Sequence, residues 1–202
     1  MSNAKGRMNR WVGEFSIRAL PLWENLPDLE LYMDQVISLL FKSLYGEKEE
    51  QNGAEKQITP SMINNYVKMG LIAPPVKKKY TRTHVATLLM ICVLKQSLSI
   101  QEIKELFSFG ITEETLPKIY NYFCETRLDS YQSMMRMIDT LCDDRDAPDN
   151  IINLSLFVSL FAVSGSAISK KLIALKTESL KVQKEAVAKK ETKKEVKKAD
   201  KE

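Results

Sequence analysis

The sequence predicts an all-α protein with one small β-wing. Three observations lead there. The 202 residues hold only seven glycines and seven prolines. No long segment alternates polar with apolar at period two, and apolar residues recur instead at helical spacing along most of the chain. The length suits one domain or two small ones with a real core, and the apolar fraction of 44% is ordinary for a soluble globular protein.

Residues 1–25 read as an N-terminal arm. It has no apolar core of the kind a signal peptide carries, and Ser2-Asn3-Ala4 looks like an expression-vector remnant. Leu26 to Tyr45 is predicted helical: Pro27 and Asp28 begin it, Leu29, Met33, Val36, Ile37, Leu40 and Leu44 repeat at helical spacing, and Gly46 stops it. Glu47 to Gln57 is a polar loop with four glutamates. Thr59 and Pro60 open the next helix as N-cap and first helical residue, and Gly70 ends it. Met62, Ile63, Tyr66 and Val67 form its apolar face. Pro74-Pro75 forces an extended stretch that leads into Val76 and Lys77-Lys78-Lys79, read as a strand-like hairpin.

Thr81 caps a third helix, with Tyr80 and Val85 at the two positions of a hydrophobic staple. Ser99 and Glu102 have capping-box spacing and lead into Ile103, Leu106 and Phe107. Leu116 to Leu141 is helical, with Pro117 the place for an interruption. Asp149 and Asn150 cap a last helix that runs to about Leu175. Its first half, Ile151 to Val163, is apolar nearly all round and is expected to be buried on most sides. The tail from Thr177 reads as a solvated helix extension or as disordered chain. The predicted organisation is thus an arm (1–25), a compact module (26–110), a helical C-terminal region (111–176) and a charged tail (177–202).

The net charge of +4 hides an uneven map. Ile58 to His84 carries five bases (Lys68, Lys77, Lys78, Lys79, Arg82) and no acid, whereas Gln101 to Asn150 carries eleven acids against five bases. A polyanion is attracted to the first segment and repelled by the second. Lysines alone make a solvated loop as readily as a binding site, so the weight falls on their surroundings.

Several chemistries have no support. Cys92, Cys124 and Cys142 are far apart and there is one histidine, so zinc frameworks and a disulfide scaffold are not expected; an odd count of buried thiols fits a reducing cytoplasm. His84 has no carboxylate or nucleophile spaced to recruit it, and Asp143-Asp144-Arg145-Asp146 reads as a solvated turn. Met134, Met135 and Met137 read as core, with a ligand-lined cavity as the alternative. Serines, Asn153 and Gly165 interrupt the last apolar helix, where a membrane span needs roughly 20 apolar residues. No Gly-rich phosphate loop or nucleophile elbow occurs. A non-enzymatic protein without cofactor, metal or membrane is expected.

Taken as one unit, Ile58 to Phe107 has the order of a recognition helix, a basic wing and two bracing helices. Asn64 and Asn65 can each donate and accept toward a base edge, and asparagine suits adenine. Ser61, at the helix start, is placed for a phosphate. Lys68, Lys77, Lys78, Lys79 and Arg82 supply the charge that holds a backbone, and Tyr66 and Tyr80 complete the candidate set. The expected partner is double-stranded DNA. The alternative is a helical interaction adaptor whose basic loop binds an acidic protein.

The stretch Met62-Ile63-Asn64-Asn65-Tyr66, Gly70-Leu71-Ile72, Pro74, Lys79-Tyr80 and Leu98-Ser99-Ile100-Gln101-Glu102-Ile103 resembles the winged helix-turn-helix module of MerR-type regulators. In that module a T-L-R-Y-Y-like helix precedes G-L-I-x-P, a wing with R-x-Y, and a further helix. Pro27 to Gln35, Ile63 to Tyr66, Lys77 to Tyr80 and Leu98 to Ile100 resemble more closely an uncharacterised bacterial family, domain of unknown function 1836, which is itself MerR-like. The resemblance covers about Leu26 to Leu175. It implies a bacterial cytoplasmic transcription regulator, a homodimer built on Leu116 to Leu141, Ile151 to Leu175, or both, and an unknown small-molecule effector at most. It also implies a phosphate contact for Tyr66, whose plain alternative is a half-buried core tyrosine. Departures are evident: Asn64-Asn65 stands where the module has Arg-Tyr, a lysine stands where the wing has arginine, the link from Ile91 to Ser99 is one residue short, and the first helix of the motif, Met33 to Tyr45, lies across an unusually long polar loop.

Overall fold

The structure, a computed structural model, describes residues 18–46, 58–141 and 148–199. The polar loop Glu47 to Gln57, the turn Asp143 to Asp146, Cys142 and most of the N-terminal arm lie outside the described residues. Among those described, six α-helices follow a short 3-10 turn at Trp23–Asn25: α1 (Met33–Tyr45), α2 (Pro60–Lys68), α3 (Arg82–Leu94), α4 (Ile100–Phe107), α5 (Leu116–Leu141) and α6 (Pro148–Ala199). The protein is all-α, with no strand longer than an isolated bridge among the described residues.

The centre is α3, whose residues His84 to Cys92 are all buried. An apolar sequence with no polar stripe can sit only where neighbours surround it, and α1 and α5 both pack on α3. α2 lies against α1, and α6 against α4. One buried cluster joins Leu20 and Leu26 to Ile63, Leu88, Ile103, Tyr120, Cys124 and Ile173. The segment before α1 is clipped onto α5: the Trp23 N–H donates to Asn121 Oδ1 at 2.7 Å and the Tyr120 hydroxyl to the Pro21 carbonyl at 2.9 Å. Burial pushes the Cys92 thiol up to about 11, so this thiol packs as a small hydrophobe.

The local stop and start signals act as expected. Thr59 Oγ1 accepts from the Met62 N–H at 3.3 Å with Pro60 in the first turn, and Ser99 and Glu102 form a reciprocal capping box, with bonds of 3.2 and 2.7 Å. Gly46 and Gly70 end α1 and α2 with φ of +84° and +69°, where a side chain is strained. Pro117 does not interrupt α5; it is the second residue of that helix, where a missing N–H costs nothing.

Three expectations are corrected. α1 begins at Met33, not near Leu26, because Leu31 exchanges both backbone hydrogen bonds with Tyr80, each at 2.8 Å, which holds it extended. The wing is not a two-stranded hairpin. Val76 and Lys79 form one bridge around a two-residue turn, and Tyr80 pairs with Leu31 instead of with the chain before the turn. The apolar first half of α6 is not buried: Ile152, Leu156, Leu160 and Val163 are 57–65% exposed. An all-round apolar composition shows what a helix would shed from water, not whether a partner is there to cover it.

Candidate nucleic-acid interface

The alternation of α2 sets its two faces. Ile63 and Tyr66 are turned into the core, 0% and 4% exposed. Ser61, Asn64, Asn65 and Lys68 are exposed, and their spacing of three, one and three residues puts them on one stripe of the helix. Asn64 keeps its amide free of any bond among the described residues, while Asn65 Nδ2 makes only a weak contact to Met69 Sδ at 3.5 Å. The far end of α2 is fixed by Lys104, whose Nζ donates to the Met69 carbonyl at 2.7 Å, and by the Leu71 N–H on the Tyr66 carbonyl at 2.9 Å.

Past Pro75 the chain makes its tight turn at Lys77 and Lys78, with φ of +50° and +64°. The Lys79 N–H closes it on the Val76 carbonyl at 2.9 Å. Two consecutive positive φ values define a type I′ turn, which asparagine and glycine adopt readily and lysine does not. Both lysines are exposed at its tip and form no ion pair among the described residues.

The other cations are engaged. Lys79 Nζ is 2.9 Å from Glu30, and the bond to that carboxylate holds the ammonium above its usual range. Arg82 is 3.5 Å from Asp28 and lies over the Trp23 ring at 5.7 Å, its Nε buried without a partner. Tyr80 is 2% exposed and Tyr66 4%, and burial pushes the Tyr66 hydroxyl up to about 12. Both are neutral core tyrosines, so of the two readings of Tyr66 the plain one fits its burial. The exposed members of the candidate set are thus Ser61, Asn64, Asn65, Lys68, Lys77 and Lys78. Asp28, Glu30 and Trp23 were not legible as their neighbours, because they come from about 50 residues upstream with no periodic signal.

His84 joins these parts. Its Nδ1 accepts from the Thr81 N–H at 3.0 Å, so the ring proton is on Nε2, which donates to the Ala73 carbonyl at 3.1 Å. The histidine fills the place of the glutamate in a capping box and ties the chain leaving α2 to the start of α3. Burial lowers its basicity. It also lines an open cleft of about 330 Å³ with Gly70, Leu71, Thr83, Lys104 and Glu113. A second cleft of about 370 Å³ lies beside Asn65, between Met62, Tyr66, Lys95, Leu98 and Ile100. Met134 and Met135 are half-buried and line neither cleft, and Met137 is 37% exposed.

No curated protein and no solved structure matches the chain. The model of a family described as a domain of unknown function (DUF1836) matches residues 21–123, which span the arm contact on α5, the exposed stripe of α2 and the lysine turn. The match takes in just over half of the chain, and the protein belongs to that family.

Proposed function

We propose that the protein is a non-enzymatic transcription regulator that binds double-stranded DNA through α2 and the lysine turn, in the manner of a MerR-like winged helix-turn-helix. The observation that carries this reading is the exposed stripe Ser61, Asn64, Asn65 and Lys68 in a segment of 27 residues without an acid. A bare helix of this width suits a major groove about 12 Å wide. Asn64 and Asn65 would meet base edges, where an amide pairs with adenine N6 and N7. Ser61 and Lys68, at the two ends of the stripe, would meet phosphates. The turn replaces a longer wing, and its tip would place Lys77 and Lys78 on the backbone. Lys79 can exchange Glu30 for a phosphate, because an exposed ion pair is worth only about 0–1 kcal/mol. Arg82 stays with Asp28 and Trp23 and orients the turn without touching DNA.

Lys77, Lys78 and Lys79 changed together to Glu remove duplex binding while the helical circular dichroism is kept. Equal binding by this variant contradicts the proposal. Binding of an acidic protein, with no binding of any duplex at low salt, favours the adaptor reading instead.

A further inference from the structure

The segment from Pro21 to Tyr32 is held at both ends. At its start the Tyr120 hydroxyl donates to the Pro21 carbonyl at 2.9 Å and the Trp23 N–H to Asn121 Oδ1 at 2.7 Å, while Asn121 Nδ2 donates to Glu24 at 3.1 Å. Midway, Leu26 is buried in the core. At its end Leu31 exchanges two backbone bonds of 2.8 Å with Tyr80, and the Tyr32 N–H donates to Gln35 at 2.8 Å. The whole stretch carries three acids, Glu24, Asp28 and Glu30, and no base. Neighbouring residues of an extended chain point to opposite sides. With Leu31 turned into the core, Glu30 is turned out, and its carboxylate meets Lys79 Nζ at 2.9 Å. Among the described residues, Lys79 alone of the lysines on α2 and the turn is in an ion pair.

We infer that this segment is a strap that sets Glu30 in the place of a DNA phosphate, as a built-in competitor for Lys79; the inference rests on the DNA reading above. The pairing of Leu31 with Tyr80 fixes the carboxylate beside the ammonium, so it competes at the high effective concentration of a short tether. A duplex reaches Lys79 only by displacing Glu30. The displaced carboxylate then stands close to the phosphate and repels it. Both effects weaken every sequence by the same factor. The strap therefore limits binding to random duplex and leaves discrimination between sequences to Asn64 and Asn65.

The plain alternative is that Glu30 holds the turn in shape. The turn has other means: the Lys79 N–H on the Val76 carbonyl and both bonds between Leu31 and Tyr80 are backbone bonds. Arg82 is kept in place by Asp28 at 3.5 Å and by the Trp23 ring at 5.7 Å. Removing the Glu30 charge leaves all of these intact.

The test is fluorescence anisotropy of the full-length chain on a random duplex in 100 mM potassium chloride. Glu30→Gln tightens binding by about three- to tenfold, the combined size of one exposed ion pair and the lifted repulsion. The salt slope stays at its wild-type value, because the number of phosphate contacts is unchanged. Asp129→Asn makes the same charge change at an exposed site on α5, eight residues beyond Asn121. That is about 12 Å further along the helix, and screening over about 10 Å keeps its effect below about twofold. In a Lys79→Gln background the gain from Glu30→Gln also falls below about twofold, since the two side chains act as one pair. Three results overturn the strap and leave the DNA reading standing. They are no gain from Glu30→Gln, an equal gain from Asp129→Asn, and a full gain without Lys79. If neither the wild type nor Glu30→Gln binds any duplex at low salt, the DNA reading fails and the strap fails with it.

Discussion

The turn at Lys77 and Lys78 offers a test in which stability and binding move in opposite directions. Both residues have φ in the left-handed region, where a side chain costs about 1–2 kcal/mol each. Lys77→Asn with Lys78→Gly installs the residue pair that a type I′ turn prefers. Part of the relief is offset, because glycine adds about 0.5–1 kcal/mol of unfolded-state entropy. The net gain is about 1–2 kcal/mol, which for a chain of this size raises Tm by about 2–8 °C. The same change removes two cations from the proposed contact surface. Each phosphate contact contributes about 0.9 to the slope of log affinity against log salt, so that slope falls by about 2. Thermal melting and fluorescence anisotropy on a random duplex, across a salt series, read both effects. Lys77→Gln with Lys78→Gln separates them: the slope falls equally and the melting gain is absent. A Tm that stays or drops in the Asn-Gly variant refutes the strain argument. An unchanged salt slope refutes the contact.

Other consequences follow from the same contacts. His84 is held neutral by burial, so the unfolded chain binds its proton more readily. Its stabilising contribution is therefore intact above about pH 6.5 and is lost as pH falls below that, at about 1.4 kcal/mol per unit of pKa difference; urea titrations at pH 7.5 and 5 show it, and His84→Gln abolishes that portion while retaining an acceptor for the Thr81 N–H. Ile63→Ala, at a fully buried site, costs about 2–5 kcal/mol in denaturant unfolding. Asn64→Ala with Asn65→Ala flattens the sequence preference recovered by selection from random duplexes and leaves the salt slope in place; an unaltered preference removes the two amides from the readout.

What the sequence disclosed and what it withheld divide along range. Thr59-Pro60, Ser99 with Glu102, Gly46 and Gly70 were legible because a cap is built from residues three or four apart. The outward stripe of α2 was legible for the same reason: helical period alone separates Asn64 and Asn65 from Ile63 and Tyr66. The true start of α1 was not, since Leu31 is held extended by Tyr80, 49 residues away. A comparable distance hid the engagement of Lys79 by Glu30 and of Arg82 by Asp28. Tyr80 stood beside three lysines in the sequence and went into the core in the fold, because its backbone pairing with Leu31 carries it inward. The face of α6 was misjudged because composition reports apolarity and says nothing of what covers it.

The account rests on the lysine turn and α2 meeting a polyanion with definite geometry. The most direct measurement is the affinity of the wild-type chain for a random duplex as potassium chloride rises from 20 to 300 mM. With Lys68, Lys77, Lys78 and Lys79 on phosphates, the log–log slope is about −3 to −4 per copy of the chain. Undetectable binding at the lowest salt, or an affinity that does not change with salt, contradicts the account.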